Sequence, residues 1–519
     1  MLQRSLLLLI LFTILTYNVK SEEAFYPEAS FFTEDTVFFF HAIERGQTVY
    51  SIAAMYDVSV DAIHKLNPTS KDGIQEGKLL RIPQESGSFL FHTIRPKETL
   101  YSVSQKYQMR GENIIEVNPG LSVETFTIGK VIRIPTNKVT EPTTDDNESA
   151  TEALLNTIVE AKSIKNVKVA LLLPIGLKEN TTVENASKNR MVEYYEGILL
   201  ALDDLKKRGV SVSLQVYDIG SKLDIISSVL RKEEMQDIHL LIGGLTDGQI
   251  NLMSTFASNQ GIPYVIPFTS KVEAVLSNHN VIQINTPQSH VHSKTSLAFH
   301  NKYKASNIIF FDAAKNADKL ELIGVIKADL DAKGVYYKTV STLTDVASIL
   351  SEDTNTVFVP TDDSVETLTK LIAALKNAKE RNPQLSISLF GHPSWQVYTA
   401  KYSADFFRLN ASFYSIFYAD PTSSAVKSFH NKYNRWYSRE LINRFPKYGM
   451  LGYDTGMFFI QLLNQYGTSY SANINNLKYK GVQTDFHFER VNNWGGFINT
   501  NTYFVEFGAD YRINVKPVN

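Results

Sequence analysis

The chain is 519 residues long, 43% hydrophobic and 20% charged, with a formal net charge of −2. That length exceeds one ordinary core, so several domains are expected. Near-neutral charge with both signs interspersed gives no electrostatic footprint for nucleic acid, and the lack of any cysteine excludes disulfides, thiolate metal sites and cysteine nucleophiles.

The opening stretch, "MLQRSLLLLILFTILTYNVKSEEAF", places Arg4 before an apolar run from Leu6 to about Tyr17, with Val19 and Ser21 ahead of Glu22. The run is short of the roughly 20 residues a spanning helix needs, so residues 1–21 are expected to be a cleaved secretion signal. No cysteine is present to carry a lipid anchor, so the expected product is a secreted bacterial envelope protein, periplasmic and not a lipoprotein.

Two passages then repeat. Gly46, Gln47, Thr48, Val49 and Tyr50 align with Lys97, Glu98, Thr99, Leu100 and Tyr101, and "IQEGKLLRIP" falls on "FTIGKVIRIP". Each copy reads as strand, helix, helix, strand. "FFFHAI" and "FLFHTI" are β-rich starts, and Thr48 and Thr99 stand at helix N-cap positions. Ile52 and Tyr56, or Val103 and Tyr107, follow at helical spacing, and Asn-Pro stops a second short helix in each copy.

This pattern resembles the lysin motif (LysM), a βααβ module that binds peptidoglycan and chitin, over residues 37–84 and 88–136. The resemblance implies a shallow groove for an N-acetylglucosamine chain between the first and last loops. In the first copy the groove would comprise Gly46, Gln47, Thr48, Ile74, Gln75 and Gly77. In the second it would comprise Glu98, Thr99, Phe126, Thr127 and Gly129, with Lys97 in place of the usual turn glycine. Two such sites on one polymer would raise avidity by roughly 10²–10⁴.

Residues 137–164, "NKVTEPTTDDNESATEALLNTIVEAKSI", are polar and acidic at first and read as an interdomain hinge. From Val167 the pattern changes to "VKVALLLPI", a continuous apolar run typical of a strand buried on both faces. Strands and amphipathic helices then alternate twice over, which predicts a doubly wound α/β domain of two lobes across 165–519.

In this order the segment resembles the type I periplasmic binding proteins, the fold of branched-chain amino-acid binders. The matching pieces are "LLLPI", "EYYEGILLALDDLKKRG" with Gly197, "LLIGGLTDGQ", "GIPYVIPFTS", "INTPQSH" and "GYDTGMFF". The resemblance implies three interlobe crossings, placed near Asn285, Tyr418 and Gly481. It also implies a ligand cleft at the C-terminal strand ends. Carried over by position, the ligand residues would be Thr246, Asp247, Phe268, Thr269, Ser270 and Tyr453 from the first lobe. Asp312 would come from the second lobe, with His392 or Trp395 beside it.

No Gly-x-Ser-x-Gly, phosphate loop or His-Glu-x-x-His occurs. "HVH" at 290–292 lacks an upstream partner for a zinc site and reads as the opening of a helix; Glu193 and Glu196 read as solvated helix charge. The expectation is a non-enzyme without cofactor or metal, holding peptidoglycan through its repeats. Its larger domain binds or senses a small polar ligand such as an amino acid, peptide or wall fragment. Two other roles stay open: ligand-free docking onto peptidoglycan synthases or hydrolases, and solute delivery to an ABC-type importer.

Overall fold

In the computed structural model the described residues are 38–84, 88–136, 147–156, 162–177, 185–313, 320–344 and 346–518. The expected secretion signal lies outside them, as does most of the linker.

Each repeat folds as expected. The first has β1 (Phe38–Ala42), α1 (Val49–Tyr56), α2 (Val60–Leu66) and β2 (Leu79–Pro83). The second has β3 (Phe89–Thr93), α3 (Leu100–Lys106), α4 (Gly111–Val117) and β4 (Val131–Pro135). The strands of each module pair antiparallel, and Ile52, Ile63, Leu80 and Ile82, or Val103, Ile114, Ile132 and Ile134, fill the space beneath them. Thr48 and Thr99 cap α1 and α3, each accepting from the backbone N–H three residues on. The asparagines of the two Asn-Pro pairs do more than end a helix. Asn67 bridges Ile63 O, Arg81 O and Arg81 N, and Asn118 does the same for Ile114 and Arg133, tying each second helix to the closing strand.

The hinge expected over 137–164 is not a free segment where it is described. Helix α5 (Glu148–Ala153) packs on α3, Thr151 and Leu155 are buried, and Glu152 accepts from Tyr101 N at 3.0 Å. The apolar side of "TEALL" meets an exposed shoulder of the second module, which polarity averaged over the segment conceals.

Lobe 1 is built from β5 (Asn166–Leu173), α6 (Asn185–Lys207), β6 (Ser211–Asp218), α7 (Leu223–Leu230), β7 (Leu240–Gly243), α8 (Asp247–Gln260), β8 (Tyr264–Ile266) and β9 (Val281–Gln283). Lobe 2 follows with α9 (Gln288–Tyr303), β10 (Asn307–Phe311), α10 (Glu321–Ala332), β11 (Tyr337–Val340), β12 (Thr356–Pro360), α11 (Val365–Arg381), β13 (Ile387–Gly391), α12 (Thr399–Arg408) and β14 (Ala411–Ser415). The chain then returns to lobe 1 as α13 (Ser424–Tyr437), α14 (Tyr448–Tyr466), α15 (Tyr470–Asn473), β15 (Phe488–Arg490) and β16 (Phe497–Asn499). It ends in lobe 2 as β17 (Tyr503–Phe507) and β18 (Ile513–Pro517).

The sheet orders are β15-β16-β9-β8-β7-β5-β6 and β11-β10-β12-β13-β14-β17-β18. The strands are parallel except for the pairs β15/β16, β14/β17 and β17/β18. Two crossings fall at Asn285 and Tyr418 as expected. The third does not fall at Gly481: β15 and β16 still extend the lobe 1 sheet, so the chain crosses between Asn499 and Tyr503. The loop after Gly481 is held on lobe 1 by the carboxylate of Asp454, which accepts from Val482 N, Gln483 N, Thr484 N and the Tyr479 hydroxyl at 2.7–3.1 Å.

Helices α6 and α14 cross in close contact. A Cβ on Gly197 would stand 1.9 Å from Gly449 O, so only glycine fits there. Glu193 belongs to this seam and Glu196 to the neighbouring contact of α6 with α13, so neither is solvated charge. Glu193 is 1% exposed and accepts from Ile442 N (2.6 Å) and Gly449 N (3.4 Å); Glu196 accepts from Tyr433 and Arg439. Burial pushes the Glu193 carboxyl above its usual range. Helical period alone does not say which polar face a later helix will cover.

Candidate functional site

Each repeat builds its first loop on a buried histidine. His41 Nε2 donates to Gln47 Oε1 at 2.7 Å and its Nδ1 accepts from the Tyr56 hydroxyl at 2.7 Å. His92 stands likewise between Glu98 Oε2 (2.7 Å) and the Tyr107 hydroxyl (3.1 Å). The same side-chain oxygens accept from Glu44 N and Arg95 N, closing the loops. Gln47 and Glu98 therefore turn inward and shape the groove; their side-chain oxygens are not offered to a glycan.

The remaining groove positions are placed as two facing loops. Gly77 N donates to Ile43 O and Gly129 N to Ile94 O, both at 2.8 Å, with the glycines at φ +78° and +86°. Lys97 takes φ +69° where Gly46 has +79°, so the second copy keeps the turn at a backbone cost that a glycine would avoid. Thr48, Gln75 and Thr127 are exposed, while Ile74 and Phe126 are half-buried against their modules.

Burial, the largest influence, holds both imidazoles below their ordinary 6.5. The unfolded chain takes up protons on these residues as pH falls through about 6.5 and the folded modules do not, so this contribution to stability is present above that pH and lost below it. Urea unfolding followed by the His41 and His92 ring protons is expected to have a lower midpoint at pH 5.5 than at pH 7.5. Equal midpoints would contradict the neutral, buried state.

The two modules are not a separate arm. Trp494, in the turn between β15 and β16, is 2% exposed and wedged against Tyr56 (5.8 Å between ring centroids) and Phe91 (5.5 Å), under the Arg133 guanidinium (4.7 Å). Beside it, Gly120 N donates to Asn493 O at 2.7 Å and Asn493 Nδ2 to Val131 O at 3.0 Å. Tyr50 donates to Glu273, and Arg45 to Ser293 O at 2.7 Å. A Cβ on Gly46 would lie 3.2 Å from His290, so the first groove loop rests on α9, the helix that "HVH" does open.

In the two-lobed domain the first two crossings leave from the C-terminal ends of β9 and β14, which sets those ends of both sheets beside the cleft. Phe268 lies there, stacked on Tyr448 (5.7 Å, 4° between planes) and edge-on to Tyr194 (4.8 Å). The Arg190 guanidinium covers the other face of this ladder, 5.5 Å from the Tyr448 ring, and its Nε has no hydrogen-bond partner. From the sequence neither Arg190 nor Tyr448 was singled out; the one signal is that Arg190 lies early in the helix after the first strand.

The other expected cleft residues divide. Thr246 caps α8, Asp247 is exposed in its first turn, Thr269 closes a turn on Lys271, and Ser270 O accepts from Gln283. Across the cleft Asp312 accepts from Thr361 Oγ1 at 3.2 Å, with Asp362 and Asp363 following on the next strand end. Asn443 Nδ2 of lobe 1 reaches Val397 O of lobe 2 at 3.1 Å. Tyr453 is not among these groups: its hydroxyl donates to Asp204 at 2.9 Å within the seam of α6 and α14. His392 and Trp395 are buried in lobe 2, bonded to Pro360 O and Asp363 O, and brace its strand ends. Among the described residues no group of histidines and carboxylates could hold a metal ion, and no helix is long and apolar enough to cross a membrane.

The LysM domain family matches residues 41–83 and 92–135. The two repeats are LysM domains. A Bacillus subtilis protein named "Putative sporulation-specific glycosylase YdhD" is 31% identical over 97 residues, 19% of this chain and 22% of that protein. The chain thus spans less than a quarter of that relative. Among solved structures, the two-lobed domain is similar to a branched-chain amino-acid ABC transporter periplasmic ligand-binding protein from Burkholderia xenovorans (12% identity, 67% of this chain and 94% of that one, TM-score 0.43). It is also similar to LivJ from Streptococcus pneumoniae in complex with isoleucine (14%, 68% and 100%, 0.37). A third is an ABC transporter substrate-binding protein from Sphaerobacter thermophilus (11%, 68% and 97%, 0.43).

Proposed function

We propose that this chain is a secreted, non-enzymatic protein of the bacterial envelope, held on peptidoglycan by its LysM modules while its two lobes close on a small polar ligand. The modules support the first half, since both copies keep the turn geometry that exposes backbone groups to a glycan. The observation that carries the second half is the Arg190–Tyr448–Phe268 ladder on lobe 1, opposite the strand ends that bear Asp312, Asp362 and Asp363 on lobe 2. A guanidinium with an unused donor on one lobe and carboxylates at the strand ends of the other suit a zwitterion such as an amino acid or short peptide. The non-enzymatic reading is supported by Glu193 and Glu196, the carboxylate pair at helical spacing, which are spent on structural contacts with α14 and α13.

The test is a thermal-shift series on the full chain with free amino acids, short peptides and muropeptides. A ligand that binds only the folded state adds about 2.7 kcal/mol at 100 times its Kd. A saturable rise that disappears in both Arg190→Ala and Phe268→Ala is expected. If no compound shifts the wild type, the cleft is not a receptor site and the domain acts by docking onto another envelope protein.

A further inference from the structure

Between the two modules and lobe 1 lies a cavity of about 1210 Å³. One side is formed by the modules, through Glu44, Gln47, Gly129 and Lys130, of which Gln47 and Gly129 are expected groove positions; the other is formed by lobe 1, through Asn280, Tyr470, Arg490 and Trp494. Its lining alternates amide side chains with apolar and aromatic faces, the mixture that a sugar with polar edges and an apolar ring face calls for. Two of these side chains are 2% exposed and incomplete. Trp494 Nε1 is a donor without an acceptor, and Asn280 Oδ1 accepts nothing. Buried orphan groups are costly, and one way a native structure sustains them is completion by a further molecule, a water or a ligand.

One orphan is a donor and the other an acceptor. An acetamido group presents the complement of both, a carbonyl oxygen and an N–H. Ordinary hexoses offer hydroxyls but no amide. On the facing side Gln47 and Gly129 belong to the loops expected to bind glycan, so the cavity adjoins the expected groove.

We infer that the junction is a composite site for an N-acetylated glycan, in which lobe 1 supplies Trp494 and Asn280 to a chain held by the LysM loops. This rests on the reading that those loops bind glycan. Lobe 1 then takes part in wall binding directly, and a glycan seated there bridges the modules and the receptor domain.

The experiment is calorimetric titration of the full chain with chitopentaose and, for comparison, cellopentaose, which has the same backbone without acetamido groups. Trp494→Phe keeps an aromatic ring in the wedge while removing the indole N–H together with part of the ring volume, so its effect is read beside that of Asn280→Leu, which keeps the branched shape and removes the amide. Each is expected to weaken chitopentaose binding about three- to tenfold, the loss of one hydrogen bond to a neutral group, and to narrow the preference over cellopentaose. Wild-type binding that neither variant changes overturns the composite site and leaves LysM binding standing. No wild-type binding at all overturns both. Equal affinity of the wild type for the two pentamers overturns the acetamido assignment alone.

Discussion

Trp494→Ala is expected to release the LysM modules from lobe 1. The indole fills the space between Tyr56, Phe91 and Arg133 at the meeting point of both modules and the β15–β16 turn. Truncating a buried tryptophan costs about 3–5 kcal/mol through lost burial and the cavity left behind. The remaining bonds, Gly120 to Asn493, Asn493 to Val131 and Arg45 to Ser293, sit at the edge of that contact and lose their shield from water. Trp494 also packs among the first module's buried residues, but the strands of each module pair within that module, so far-UV circular dichroism should change little while small-angle scattering shows a larger radius of gyration. An unaltered scattering profile would mean that the polar contacts alone hold the modules.

The second large effect is at Asp454. Its carboxylate is fully buried and collects three backbone N–H groups and one phenol. Burial pushes its pKa up to about 6, against the four donors that favour the charged form, so at neutral pH it is ionised. Asp454→Ala strands all four donors in the interior, and each buried donor left unsatisfied costs about 1–3 kcal/mol. Urea unfolding of the two-lobed domain should move to markedly lower concentration. The loop it anchors carries Gln483, whose carbonyl accepts from Tyr418 N at the second crossing, so the hinge loses a support as well. A midpoint equal to that of the wild type would show that the loop finds other acceptors.

What could be read in the sequence was local. The repeats, their caps and the buried parallel strands all follow from short-range patterns: a threonine before a helix, Asn-Pro after one, and "VALLL" in a strand covered on both faces. The cleft was legible only in part. Phe268 follows the end of a strand, a position that short-range pattern can place, whereas Arg190 and Tyr448 meet from α6 and α14, far apart in the chain. Tyr453 was misplaced because the helix that carries "GYDTG" begins at Tyr448 and turns this tyrosine into the seam with α6. Gln47 and Glu98 have the right position for a groove and the wrong direction, since each histidine draws its partner inward. The docking of the modules rests on Trp494, hundreds of residues away from them, and no short-range pattern signals it.

The docked LysM pair is expected to hold this chain on the wall. Co-sedimentation of the full chain with purified peptidoglycan sacculi tests it most directly, with chitopentaose as competitor. The protein should pellet with the sacculi and return to the supernatant as the competitor is added. Protein that stays in the supernatant without competitor would contradict it.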